Sequence, residues 1–151
     1  MELISGVLMD AFFLALLLWC SITDVKKRLI PNKAIVVLLC LGIVQTVFTA
    51  LMGGVWWQYP AGLMFAVPFF VAWLKNGMGA GDVKLVMVIA LYLGFMNTVV
   101  ALALIVPVLI GLMVYSLVKT KTVKLQIPIA PLLSIGAGGS VLIKYLYGLF
   151  L

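Results

Sequence analysis

The sequence predicts an all-α polytopic membrane protein, with six transmembrane helices forming a single domain over residues 1–151. Three observations carry that reading. Two thirds of the chain is hydrophobic (66%), against ten basic and four acidic residues, and a soluble domain of this length needs far more polar surface. The apolar residues gather into runs close to the ~20 residues, range roughly 17–25, that cross a bilayer. The basic residues fall between alternate runs, so six crossings place all but Lys144 on one side.

In chain order the predicted spans cover about 3–23, 34–52, 58–74, 83–96, 98–118 and 128–149. The first run lacks a cationic start and a small-residue cleavage site, which makes it a permanent span and not a removed signal. The fourth is short and follows a glycine-rich turn directly. Pro68 and Pro107 sit within spans, where membrane helices tolerate the kinks they cause. Gly136, Gly138, Gly139 and Ser140 give the sixth span a small-residue face for close packing. Trp56, Trp57 and Tyr59 in the link before the third span read as an interfacial aromatic belt. No repeat or low-complexity segment interrupts this plan.

Lys26, Lys27, Arg28 and Lys33 lie between spans one and two. Lys75 and Lys84 flank the glycine turn, and Lys119, Lys121 and Lys124 lie between spans five and six. Positive charge marks the cytoplasmic side, so the cell inner membrane is expected to hold the protein with both termini outside. The net charge of +6 then points to membrane lipid as a partner; no basic and aromatic interleaving suggests nucleic acid. Lys26, Lys27 and Arg28 are expected on lipid headgroups. Histidine is absent, which removes the commonest general base and metal ligand. Cys20 and Cys40 have no metal-binding spacing, and the reading calls for no cofactor and no metal.

The four acids are Glu2, Asp10, Asp24 and Asp82. Glu2 is expected in solvent at the outer terminus. Asp10, within the first span, either reaches the outer interface or pairs with Lys144. Asp24 and Asp82 end one span and begin another at the same membrane depth. Packed side by side, those spans would join two carboxylates around one water, the arrangement for general acid–base hydrolysis. A shared proton follows from like charges at short range. The plainer alternative is that each aspartate caps a helix or pairs with a neighbouring lysine. The glycines favour the dyad: Gly77, Gly79 and Gly81 leave bare backbone that a peptide could approach. Helix-end fields would make Asp82 the base and Asp24 the acid.

Three stretches resemble the type IV prepilin peptidases, within the GxGD class of intramembrane aspartyl proteases. "DVKKRLIPNK" opens with Asp24 and contains Pro31 and Asn32. "GAGDVKL" contains Gly79, Gly81, Asp82 and Lys84. "IPIAPLLSIG" contains Pro128 and Pro131. The resemblance implies that Asp24 and Asp82 are catalytic, and that the substrate is a prepilin or pseudopilin with a short basic leader, cut at the cytoplasmic face. It resembles short, methylase-free members of the tight-adherence (Flp) type. Pro31 and Asn32 either shape the return into the second span or let Asn32 orient Asp24. Pro128 and Pro131 either kink the last span or free backbone groups to pair with substrate. The competing readings are an archaeal preflagellin-type peptidase, a small proton-coupled transporter or channel, and a non-catalytic scaffold of a secretion complex.

Overall fold

The structure, a computed structural model, describes residues 2–75, 78–120 and 129–150. Gly77, Lys121, Lys124 and Pro128 lie outside the described residues. Every regular element among those described is helical: α1 (Glu2–Lys27), α2 (Asn32–Leu51), α3 (Gln58–Gly62), a 3-10 turn (Leu63–Ala66), α4 (Val67–Leu74), α5 (Ala80–Thr120) and α6 (Ala130–Phe150). Gly6–Lys27, Asn32–Leu51 and Ala80–Gly111 are each long and apolar enough to cross a membrane, while the helical stretch Gln58–Leu74 is apolar but shorter.

α1 runs a full turn past its expected end, so Asp24 lies inside the helix and not at its tip. Lys26 and Lys27 occupy its last turn, where cations meet the negative end of the helix. Arg28 then takes the left-handed conformation (φ 50°) and its N–H closes on the Asp24 carbonyl at 2.8 Å. Such a closing residue is usually glycine. Pro31 caps α2 through its backbone: its carbonyl accepts from Ala34 and Ile35 at 3.0 and 3.3 Å. Pro68 lies in the first turn of α4, and lacking an N–H it cannot bond back to Met64. The 3-10 turn immediately before it is the local result.

Where a link between the fourth and fifth spans was expected, α5 breaks at a single residue. Gly94 has φ 75° and ψ 176°, a conformation essentially reserved for glycine. A Cβ there would sit 3.3 Å from the Tyr59 ring. The chain folds back at this point. Thr98 Oγ1 reaches the Ala90 carbonyl at 3.4 Å, although eight residues of straight helix would separate them by about 12 Å. Ile105 and Ala101 then pack on Gly136, midway along α6.

α1 lies against α6 and α2, and α5 against α6, α2 and α3. α1 also reaches the first limb of α5 through large side chains, with Phe13 stacked on Tyr92 at 3.9 Å between ring centroids. Phe13, Leu17, Cys20, Leu38, Leu85, Ala130 and Ala137 are completely enclosed. The opposite faces expose Leu18, Ile22, Val25, Val36, Ile43 and Leu142, as helices surrounded by lipid do. Apolar burial drives little helix association in lipid, so close approach matters more. At Gly136 a Cβ would stand 2.8 Å from the Ala101 carbonyl oxygen, which is why that helix face is small. Gly139 faces only the movable tip of Leu104, at 2.8 Å, and Gly138 makes ordinary contact with Leu14.

The aromatic link divides. Trp56 and Trp57 are exposed, as expected of a belt, but Tyr59 is buried. Its hydroxyl accepts from Gln45 and Thr49 at 3.3 and 3.2 Å. Its ring packs beside Gly94, where the missing side chain leaves it room.

Gly94→Ala places a side chain in this glycine-only conformation. Thermal unfolding in detergent is expected to show a loss of about 1–3 kcal/mol, with Gly111→Ala, whose added carbon meets nothing within 4 Å, as the unaffected comparison.

Candidate active site

A cavity of about 340 Å³ opens where α1, α2 and α5 converge. Its lining includes Asp24, Arg28, Asn32, Gly79, Gly81, Asp82 and Lys84. Water occupies about 30 Å³ per molecule in the liquid, so the space holds several waters or a short stretch of extended peptide. The negative charge of Asp24 acts on Asp82 across it. Aspartates 58 positions apart in the chain thus share one space.

Each carboxylate is held by a backbone amide from a helix start. Asp82 is the third residue of α5 and accepts from the N–H of Gly79, the residue before the helix. This is the reaching-back half of a capping box. Asp24 is buried, and its Oδ2 accepts from the Ala130 N–H at 3.2 Å. Ala130 is the first residue of α6, where amides have no partner within the helix. Pro131 beside it has no N–H to offer, and Leu133 bonds to the Ile129 carbonyl at 3.0 Å. The α6 start therefore turns one specific amide toward Asp24.

That contact removes the basis for ranking the aspartates by helix ends. Asp24 meets the positive end of α6 as well as the negative end of α1, and the two fields oppose one another. The capping reading and the dyad reading of Asp82 also cease to compete, since one carboxylate both caps α5 and faces the cavity.

The expected supporting residues fare differently. Asn32 and Lys84 line the cavity, but no hydrogen bond joins Asn32 to Asp24 among the described residues. Pro31 acts through its carbonyl at the start of α2. Gly79 needs its missing side chain: a Cβ would stand 3.1 Å from Asp82 Oδ2. Gly81 does not, since a Cβ would make ordinary contact with Ile30 at 3.5 Å. Of the two described glycines before Asp82, clearance is thus a property of Gly79 and serves the carboxylate itself. Arg28, expected among lipid headgroups, is exposed and also lines the cavity, at the left-handed turn after α1. Among the described residues no three His, Cys, Asp or Glu side chains cluster as metal ligands would.

Sequence reasoning missed the Ala130 amide, since a backbone group leaves no residue-type signal. It also missed Ser21 and Ser134, buried beside it. Their signal was available: each lies about one turn from Asp24 or Ala130.

Asp10 occupies the other end of α1, about 21 Å away at 1.5 Å per residue. It pairs with Lys144 at 3.0 Å, one of the two expected outcomes. It also accepts from the Tyr92 and Tyr145 hydroxyls, both at 2.7 Å. Three donors on one carboxylate knit α1, α5 and α6 together.

A family model, the type IV leader peptidase family, matches residues 11–117. The chain belongs to that family. The matched region contains both Asp24 and Asp82 and stops short of α6. No curated protein and no solved structure matches the chain. Leader peptidase membership, with three apolar helices of spanning length among the described residues, makes this a membrane protein and a protease.

Asp10→Ala strands the Tyr92 hydroxyl, and about 1–3 kcal/mol of stability should go with it; detergent unfolding measures this, while cleavage per folded molecule should fall far less than in an Asp24 or Asp82 variant. Gly79→Ala is expected to do the reverse, slowing cleavage by displacing the Asp82 carboxylate while the unfolding temperature moves little.

Proposed function

We propose that this leader peptidase is an intramembrane aspartic endopeptidase that removes the leader of a prepilin-like substrate. The observation that carries this is a cavity lined by both Asp24 and Asp82. In this reading one carboxylate, ionised, takes a proton from a cavity water. The other, protonated, donates to the scissile carbonyl oxygen. The new C–O bond gives a tetrahedral diol, and its collapse breaks the C–N bond as the amine leaves with a proton. The Gly79 and Ala130 amides hold the carboxylates so that their free oxygens face the water.

The architecture supports the same reading. The first limb of α5, residues 80–93, spans only about 21 Å, so Asp82 lies near one edge of the hydrocarbon layer. Counting the limbs on either side of Gly94 separately, and the stretch 58–74 as one more, gives six crossings in one domain. The basic residues then place the cavity on the cytoplasmic face of the inner membrane, with both termini outside. A substrate helix lying beside the bundle would present the junction of leader and helix to Asp24 and Asp82. Local unwinding is required there, because a helical backbone hides its carbonyls.

A proton-coupled transporter would need polar groups linked through the membrane. Asp10 lies at the other end of α1 and is closed in by Lys144, Tyr92 and Tyr145, while Phe13, Leu17 and Cys20 fill the interval between the two sites. Among the described residues, the apolar interval along α1 at Phe13 and Leu17 offers no such path.

Co-expression with a prepilin tests the proposal. Asp24→Asn and Asp82→Asn are each expected to lower leader removal by roughly a hundredfold to ten-thousandfold, with the membrane protein present at parental levels. Retained cleavage in either variant, or proton flux into liposomes without cleavage, would overturn it.

A further inference from the structure

We propose that Ser21 and Ser134 form a positioning pair that aims the α6 amide at Asp24. The inference rests on the aspartic peptidase reading above.

α1 and α6 run antiparallel, and polar contacts join them at three levels. Lys144 and Tyr145 meet Asp10 at one end, and Ala130 meets Asp24 at the other. Between them, about one turn inside the Asp24 contact, the hydroxyl of Ser21 meets that of Ser134. Both serines are buried, at 8% and 9% exposure, as is Asp24 at 7%. The end near Asp10 is a strong ionic anchor. The end near Asp24 depends on a single amide and so needs a second attachment to hold its register.

The serine pair supplies it through one shared residue. Ser134 Oγ donates to the Ala130 carbonyl at 2.8 Å, and Ala130 is the residue whose N–H reaches Asp24 Oδ2. Serine bonding to its own helix four residues back is commonplace in membrane helices. The crossing contact is not accounted for in that way. Ser21 could satisfy itself on the Leu17 carbonyl at 2.8 Å, and Ser134 also comes within 3.2 Å of that same carbonyl on α1. With the Ser134 proton on the Ala130 carbonyl, the Ser21 hydroxyl donates across to Ser134 Oγ and ties the start of α6 to α1, and through Ala130 the pair fixes where the free amide points. A shift of the α6 start would carry the amide away and release the Asp24 carboxylate to rotate.

Ser140 provides an internal comparison. It is a buried serine on the same helix, bonded only to its own backbone at Ala137, 2.8 Å away. Among the described residues it makes no hydrogen bond to α1.

The test measures prepilin cleavage by purified enzyme in detergent for Ser134→Ala, Ser21→Ala, the double variant and Ser140→Ala, with Asp24→Asn alongside. A misaimed catalytic group costs rate more than binding. Ser134→Ala should therefore lower kcat roughly tenfold with KM little changed, and displace the acid limb of the pH–rate profile. The double variant should be no worse than Ser134→Ala, because the pair acts as one unit. Ser134→Thr, which keeps the hydroxyl, should recover most of the rate, and Ser140→Ala should match the parent. Parental kcat and pH profile in Ser134→Ala would overturn the inference, as would equal losses in Ser134→Ala and Ser140→Ala. If Ser134→Ala fails to accumulate, Ser21→Ala decides on the same two readouts. Cleavage by Asp24→Asn would sink the peptidase reading itself; loss in that variant with no effect of the serines would sink only the positioning role.

Discussion

A carboxylate inside an apolar bundle must be met by donors or give up its charge, because hydrocarbon offers it nothing. This chain has few acids, and the three whose side chains are described obey that constraint in two different ways. Asp10 collects a lysine and two tyrosine hydroxyls from two other helices. Asp24 and Asp82 each accept one backbone amide from a helix start, and both then face a shared cavity. A fully satisfied carboxylate is an anchor; a partly satisfied one beside a space that holds water remains available for chemistry.

The two arrangements depend on each other through α1, which carries one at each end. The Asp10 anchor fixes α1 against α5 and α6 at the far end, and Phe13 stacked on Tyr92 continues that contact inward. Small residues let α6 and the second limb of α5 approach until a single methyl would collide with backbone. The first limb of α5 and the start of α6 thereby take up fixed places beside α1. The amides at the opposite end inherit their position from this packing, since neither Gly79 nor Ala130 has a side chain able to direct it.

Gly94 serves the same end by a different route. A continuous helix of 41 residues would extend about 60 Å, twice the thickness of a hydrocarbon core. Breaking it at one glycine keeps the first limb short, so its opening turn with Asp82 meets α1 near Asp24. The second limb returns along α6.

Much of this was legible in the chain alone. Run length and charge placement determined an all-helical membrane protein, because a bilayer demands long apolar segments and sorts basic residues by side. Asp24 and Asp82 stood out for the same reason: few acids survive in such a chain, and these two sit at the ends of apolar runs. The Lys144 partner of Asp10 was one of two options open to the sequence, as few countercharges were available. Tertiary structure alone decided the rest. The inward turn of Tyr59, the place of Arg28 in the cavity lining and the use of Gly79 but not Gly81 follow from how helices meet. The grip of Ala130 on Asp24 does so as well. A backbone amide looks alike at every position in a sequence, and only the packing of α1 against α6 determines which one a carboxylate will find.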